Sequence, residues 1–193
     1  MLPDNAQLDS GDFHNADFSI TTYIQYHLAS GFELERLDEN LILFDGLFLD
    51  YNLSDRWRIV IAREVVANLM GGTEFPLVFF GDTLEQQSTA LVELNRLDDN
   101  KALEYFNFMR LFMAIFFHDF DLAQDCFSNL EQSPEGVWVL WSCFFEALVL
   151  ISHLPGTKGK DRKELKERIE SKKGQLIEWN NEGAKNAGAM ASL

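Results

Sequence analysis

Residues 99–130, DNKALEYFNFMRLFMAIFFHDFDLAQDCFSNL, constrain this chain more than any other stretch. From 102 to 117 the run is apolar at nearly every position, broken only by Glu104, Asn107 and Arg110. A helix that is apolar almost all round has to be covered on most sides, so this one belongs in the core. Beyond it Leu122, Ala123, Cys126, Phe127 and Leu130 recur at helical spacing while Asp121, Gln124, Asp125 and Asn129 turn away, which predicts an outer helix laid on the buried one. The two meet at a tight corner at His118-Asp119, just before Phe120, and the small Ala123 permits close helix contact. Nothing in the stretch is suited to catalysis.

Around this pair the chain reads as further helices. Residues 12–30 carry Phe13, Ala16, Ile20, Tyr23, Ile24, Tyr26 and Leu28, and stop at Gly31, which tolerates a left-handed terminus. Residues 33–52 follow, with Gly46 expected at a close packing contact. Ser54 caps a third helix that ends at Gly71-Gly72. The run Leu77-Val78-Phe79-Phe80 has strand character but no partner strand, so it is expected as an apolar loop tucked under neighbouring helices. Thr83 and Gln86 form a capping box for a short helix. Ser133-Pro134 opens the helix that ends at Pro155. Asp161 and Glu164 open the last, whose narrow stripe is Leu165, Ile169, Leu176 and Ile177. The expected organisation is a disordered lead over 1–10, one helical domain over 11–182 and a frayed tail over 183–193.

Charge narrows the partners. Residues 1–157 hold 7 basic and 25 acidic side chains, and residues 158–193 hold 9 and 6, so an acidic body of a protein with net charge −15 repels nucleic acid and anionic membranes. Glutamates 164, 167 and 170 interleave the basic tail, as on a solvated helix face. Both cysteines, Cys126 and Cys143, lie in apolar helical runs and are expected to be reduced and buried. The opening MLPDNAQLDS is polar and acidic, unlike a secretory signal, and gives a cytoplasmic expectation. Residues 137–154 are apolar but shorter than the ~20 residues a bilayer requires, and they include Ser142, Glu146 and His153; a buried helix fits better.

Reactive constellations are weak. Neither GGT at 71–73 nor GTKGK at 156–160 has the spacing of a phosphate loop. His14, His27, His118 and His153 include no pair at metal-binding helical spacing. His153 invites comparison with a phosphoaccepting histidine, but Pro155 and Gly156 end its helix directly afterwards. No catalytic residue, cofactor or metal is expected.

Asp12-Phe13-His14-Asn15-Ala16 recurs as Asp119-Phe120-Asp121-Leu122-Ala123, 107 positions on and close to three units of ~34 residues. The order of motifs is Gly11-Asp12 with Ala16; Gly31, Leu34 and Leu37; Leu69, Gly71, Pro76 and Gly81; Phe117, Asp119, Phe120 and Ala123; then Trp179 and Asn186. In that order the chain resembles, over about 11–186, the tetratricopeptide-like helical-repeat region of multidomain signalling kinases that carry a predicted AAA-like ATPase. It departs in having Ala184 where that family tends to have proline, in a small-residue tail where the family continues into another helix, and in that these 193 residues include none of the ATPase, sensor and kinase parts. The resemblance implies an all-α fold of antiparallel helix pairs stacked as a right-handed solenoid segment, and a non-catalytic interaction and signal-relay role. The alternative is a stand-alone helical phosphotransfer or ligand-processing domain. Partners are expected to be a protein segment or adjacent domains of a parent chain, with weak self-association through an N-terminal face of Phe13, Ile20, Tyr23, Ile24 and Leu28.

Overall fold

The computed structural model describes residues 13–51, 56–96, 100–130 and 137–192. These residues form nine α-helices and one 3-10 turn, with no strand among them, so the fold is all-α. The helices are α1 Phe13–Ser30, α2 Leu34–Asp50, α3 Arg56–Leu69, α4 Leu84–Arg96, α5 Asn100–Phe116, α6 Phe120–Ser128, α7 Trp138–His153, α8 Gly159–Asn181 and α9 Lys185–Ala191, with the 3-10 turn Leu154–Gly156 after α7. The chain divides into two compact units, Met1–Met109 and Arg110–Leu193, where a single domain was expected; the boundary falls inside α5.

Four chain reversals are closed by one device. After α1, Gly31 adopts φ 65° and its N–H donates to the Leu28 carbonyl, while the Phe32 N–H donates to that of His27. Gly71 (φ 79°) after α3, His118 (φ 60°) after α5 and Gly183 (φ 115°) after α8 repeat the same two-bond pattern. Each pair satisfies carbonyls that the ending helix leaves without partners. At the third reversal the left-handed residue is a histidine. Asp119 then caps α6, accepting a 3.0 Å hydrogen bond from the Leu122 N–H, and Ala123 is fully buried as its small size predicts.

In the first unit, α1 and α2 run antiparallel: Tyr23 lies edge-on to Phe44 and takes a hydrogen bond from Asn40, while His27, one turn on, meets Phe32 and Glu33. Ile20, Ile24, Leu37, Leu41, Phe44 and Phe48 are buried. Asp45 is also buried, and its carboxylate accepts from Arg56 Nε at 2.6 Å and from Arg63 Nη1 at 3.3 Å, so its charge is compensated. The apolar loop behaves as expected. Phe79 is fully buried edge-on to Phe106, and Phe80 stacks on the same ring at 5.8 Å. Two buried amides satisfy its backbone: Asn68 Nδ2 donates to the carbonyls of Pro76 and Val78, and Gln87 Oε1 accepts from the Phe79 N–H. The capping box is present, with the Gln86 N–H donating to Thr83 Oγ1 and the Thr83 N–H to Gln86 Oε1. A Cβ on Gly81 would lie 2.5 Å from that Oε1, which accounts for the glycine.

In the second unit, α7 and α8 are antiparallel, with the Cys143 thiol donating toward Gln175 Oε1 and Glu146 pairing with Arg168 and Lys172. Trp138–Gly156 is long and apolar enough to cross a membrane. Here its central carboxylate is held by two cations of α8.

Several expectations need correction. Ile20 and Ile24 are each 1% exposed and Leu28 is buried, so these residues of the N-terminal face expected to self-associate are covered within the chain. Gly46 has open space where a side chain would be, and makes no close contact. The helix expected to be the last, α8, starts at Gly159 with no side-chain cap, leaving Asp161 in the first turn, and Ile177 points outward. Residues expected to fray form α9, with Ala187 and Ala191 buried beside Cys143 and Leu176. The physical reason is size: alanine and glycine side chains let α9 approach closely, and a Cβ on Gly188 would sit 2.6 Å from Asn180 Oδ1. The lead over 1–10, Asp12, the caps at Ser54, Asp99 and Ser133-Pro134, and the side chains of Phe13 and Ala16 lie outside the described residues.

His118→Val places a β-branched side chain in the left-handed region and is expected to lower stability by about 1–2 kcal/mol, while His118→Gly is expected not to. Equal losses in urea unfolding would show that the turn does not require φ > 0.

Candidate functional site

The residues singled out by sequence fall into separate local structures. Gly71, Pro76 and Gly81 shape the loop before α4; Asp119, Phe120 and Ala123 form the α5–α6 corner, where His118 stacks on Phe120. Trp179 packs with Met190 against the Ala187 and Ala191 cluster. Gly31 lines a depression that adjoins an aromatic groove. Asp12 and the side chain of Ala16 are outside the described residues.

That groove is built by the α1–α2 reversal. Two positions along a helix rotate a side chain by about 200°, so Phe18, Thr22 and Tyr26 stand nearly opposite the buried Ile20, Ile24 and Leu28. Phe18 is 66% exposed and Tyr26 is 56% exposed. Gly31 turns the chain so that Phe32, 62% exposed, comes back beside them. Tyr23 and His27 form the floor, with ring centroids 5.4 Å apart, and His27 lies 5.4 Å from Phe32. His27 Nε2 is 2.9 Å from the Glu33 carbonyl, which can only accept, so this nitrogen carries the proton and donates. The bond locks the imidazole against the turn. Phe18, Tyr23, Tyr26, His27 and Phe32, with the hydroxyls of Ser19 and Thr22, line a groove of about 350 Å³. Beside it a second depression of about 490 Å³ shares Tyr23, His27 and Phe32 and adds Glu33 and Arg36.

The face of α1 expected to self-associate is buried at Ile20 and Ile24, and the exposed aromatic face opposite it was not singled out from the sequence. The usable signal was there: an aromatic pair at 18 and 26, offset by two from the aliphatic set, and a phenylalanine directly after the terminating glycine.

The second unit contains an apolar cavity of about 270 Å³ between α7, α8 and α9, walled by Leu148, Ile151, Ile169, Leu176 and Met190, with Glu170 and Lys173 at its edge. No group of three or more metal-binding side chains occurs among the described residues. His153 is partly exposed, and its Nε2 is buried without a hydrogen-bond partner among the described residues. No protein-family model, curated protein or solved structure matches the chain.

Burial pushes the Cys126 thiol up against the opposing pull of Arg110, and the Cys143 thiol up against that of Lys172. Burial likewise raises the Tyr105 phenol, opposed by Arg58. Each group holds its proton more tightly folded than unfolded, so its contribution is complete below the unfolded value and declines above it. Stability is therefore expected to fall as pH rises past about 8.5, and again past about 10, where unfolded thiols and phenols ionise. Thermal melts across that range check the sign. A thiol reagent at neutral pH is expected to label neither free cysteine until the protein unfolds. Labelling in the native state, or a melting point that rises with pH, contradicts the burial of these groups.

Proposed function

We propose that this chain is a non-catalytic protein-interaction module, whose α1–α2 groove receives a segment of a partner protein or of an adjacent domain. The observation that carries the reading is the exposure of three large aromatic side chains, Phe18, Tyr26 and Phe32, around a concavity floored by two further rings. Scattered exposed apolar residues are ordinary, but aromatic side chains gathered around one depression supply the rigid, large-area anchors that dominate binding energy at interfaces. The groove stands on a reversal closed by two backbone hydrogen bonds and by one from the His27 imidazole to the Glu33 carbonyl, so little ordering is required on binding.

In this reading the antiparallel pairs belong to a tetratricopeptide-like right-handed array. The setting is the one that the order of motifs resembles, a cytoplasmic signalling kinase with a linked ATPase, where such a module holds neighbouring domains or a partner in a fixed relation. Its chemistry is recognition, with no cofactor.

A displayed library of random peptides, selected on the intact protein and counter-selected on a Phe18→Ser, Tyr26→Ser, Phe32→Ser variant, tests the proposal. Peptides that bind the parent in calorimetry and bind the variant at least about tenfold more weakly are expected, since losing aromatic anchors costs on the order of 1–2 kcal/mol or more. Failure to enrich any peptide that distinguishes the two proteins would overturn it.

A further inference from the structure

We infer that the segment received by the aromatic groove is basic, and that an arginine or lysine side chain of a partner protein seats on the ring faces of Phe18, Tyr23, Tyr26 and Phe32. This rests on the groove being the partner-binding surface, and it specifies the chemistry of the occupant.

Two features point to a cation. The first is the lining. The faces of phenyl and phenol rings carry negative quadrupole charge and attract ammonium and guanidinium groups. Among the described residues no Lys, Arg, Asp or Glu lines the 350 Å³ groove. Ser19 and Thr22 supply hydroxyl oxygens along one wall, suited to the several N–H donors of a guanidinium.

The second is the surrounding charge. Residues 18–51 carry six carboxylates, Glu33, Glu35, Asp38, Glu39, Asp45 and Asp50, against Arg36 within the same span and Arg58 of α3, which donates to Thr21 Oγ1 on α1. Asp45 is compensated by Arg56 and Arg63; Glu33, Glu35 and Glu39 remain exposed next to the turn that forms the groove. Their field concentrates cations and repels anions at the mouth, in the same sense as the net charge of −15. Arg36 borders only the adjoining depression, which puts the preferred cation position on the Phe18 side. An uncharged apolar segment gains ring contact and no electrostatic term. An acidic one gains the contact against repulsion.

Three acetylated, amidated peptides of equal length separate these cases: one alternates arginine with serine, the second replaces each arginine by its uncharged isostere citrulline, and the third replaces it by glutamate. Fluorescence anisotropy is read on the full chain and on the Phe18→Ala, Tyr26→Ala, Phe32→Ala variant, which keeps the net charge unchanged. The arginine peptide is expected to bind the parent about tenfold more tightly than the citrulline peptide, and the variant about tenfold more weakly than the parent. Glutamate is expected to abolish binding. Should the triple variant not fold, Phe18→Ser alone gives the same comparison at a side chain that is two-thirds exposed.

Equal affinity for the arginine and citrulline peptides overturns the inference. So does undiminished binding of the arginine peptide to the variant, because attraction to net charge alone would then account for it. If groove-dependent library peptides carry no excess of arginine or lysine, the interaction module stands and its basic partner does not. If no groove-dependent peptide exists, both fall.

Discussion

An all-helical chain has to end each helix without leaving its last carbonyls unpaired, and here that requirement sets where the chain turns. The ends of α1, α3, α5 and α8 meet it identically, with one residue at positive φ and two backbone bonds reaching back over the final turn. Because the closing geometry is fixed, the direction in which the next segment leaves is fixed as well. At Gly31 it returns Phe32 beside Tyr23 and His27. At His118 it delivers Asp119 to cap α6, and at Gly183 it folds α9 onto α8. The groove is thus a by-product of helix termination, furnished by whichever side chains flank the turn.

The loop before α4 solves a related problem by other means. A buried segment without helix or sheet bonds exposes its amides to an apolar interior, a cost of about 1–3 kcal/mol for each unpaired group. Asn68 and Gln87 answer it, their side-chain amides acting as partners for Pro76, Val78 and Phe79. With the backbone satisfied, Phe79 and Phe80 can be committed to Phe106. Two polar residues inside a core are therefore part of what makes the aromatic packing possible.

Most of the secondary structure was legible because apolar periodicity and glycine punctuation are local signals. The 3.6-residue stripes located the helices, and Thr83 with Gln86 marked a start through a reciprocal side-chain bond. What escaped depended on size or on tertiary partners. The alanines and glycine of α9 look too small to bury anything, yet their smallness is what permits contact. Gly46 looks like a packing glycine, but nothing approaches it. On α1 the aliphatic stripe reads as the functional face only if its cover is assumed to be missing; Ile20 and Ile24 have that cover, and the aromatic face behind them is the one left open. The aromatic pair at 18 and 26 marks that second face locally, but which face is covered depends on where the neighbouring helices pack.

Under the proposed function, recognition is confined to the surface around the Gly31 reversal. Backbone amide shifts of the isotopically labelled full chain, followed by NMR during titration with the arginine–serine peptide, test it most directly. Saturable shifts centred on residues 18–36, with α7, α8 and α9 unmoved, are the predicted result. Shifts spread evenly over the acidic surface, or centred on the 270 Å³ cavity of the second unit, would contradict it.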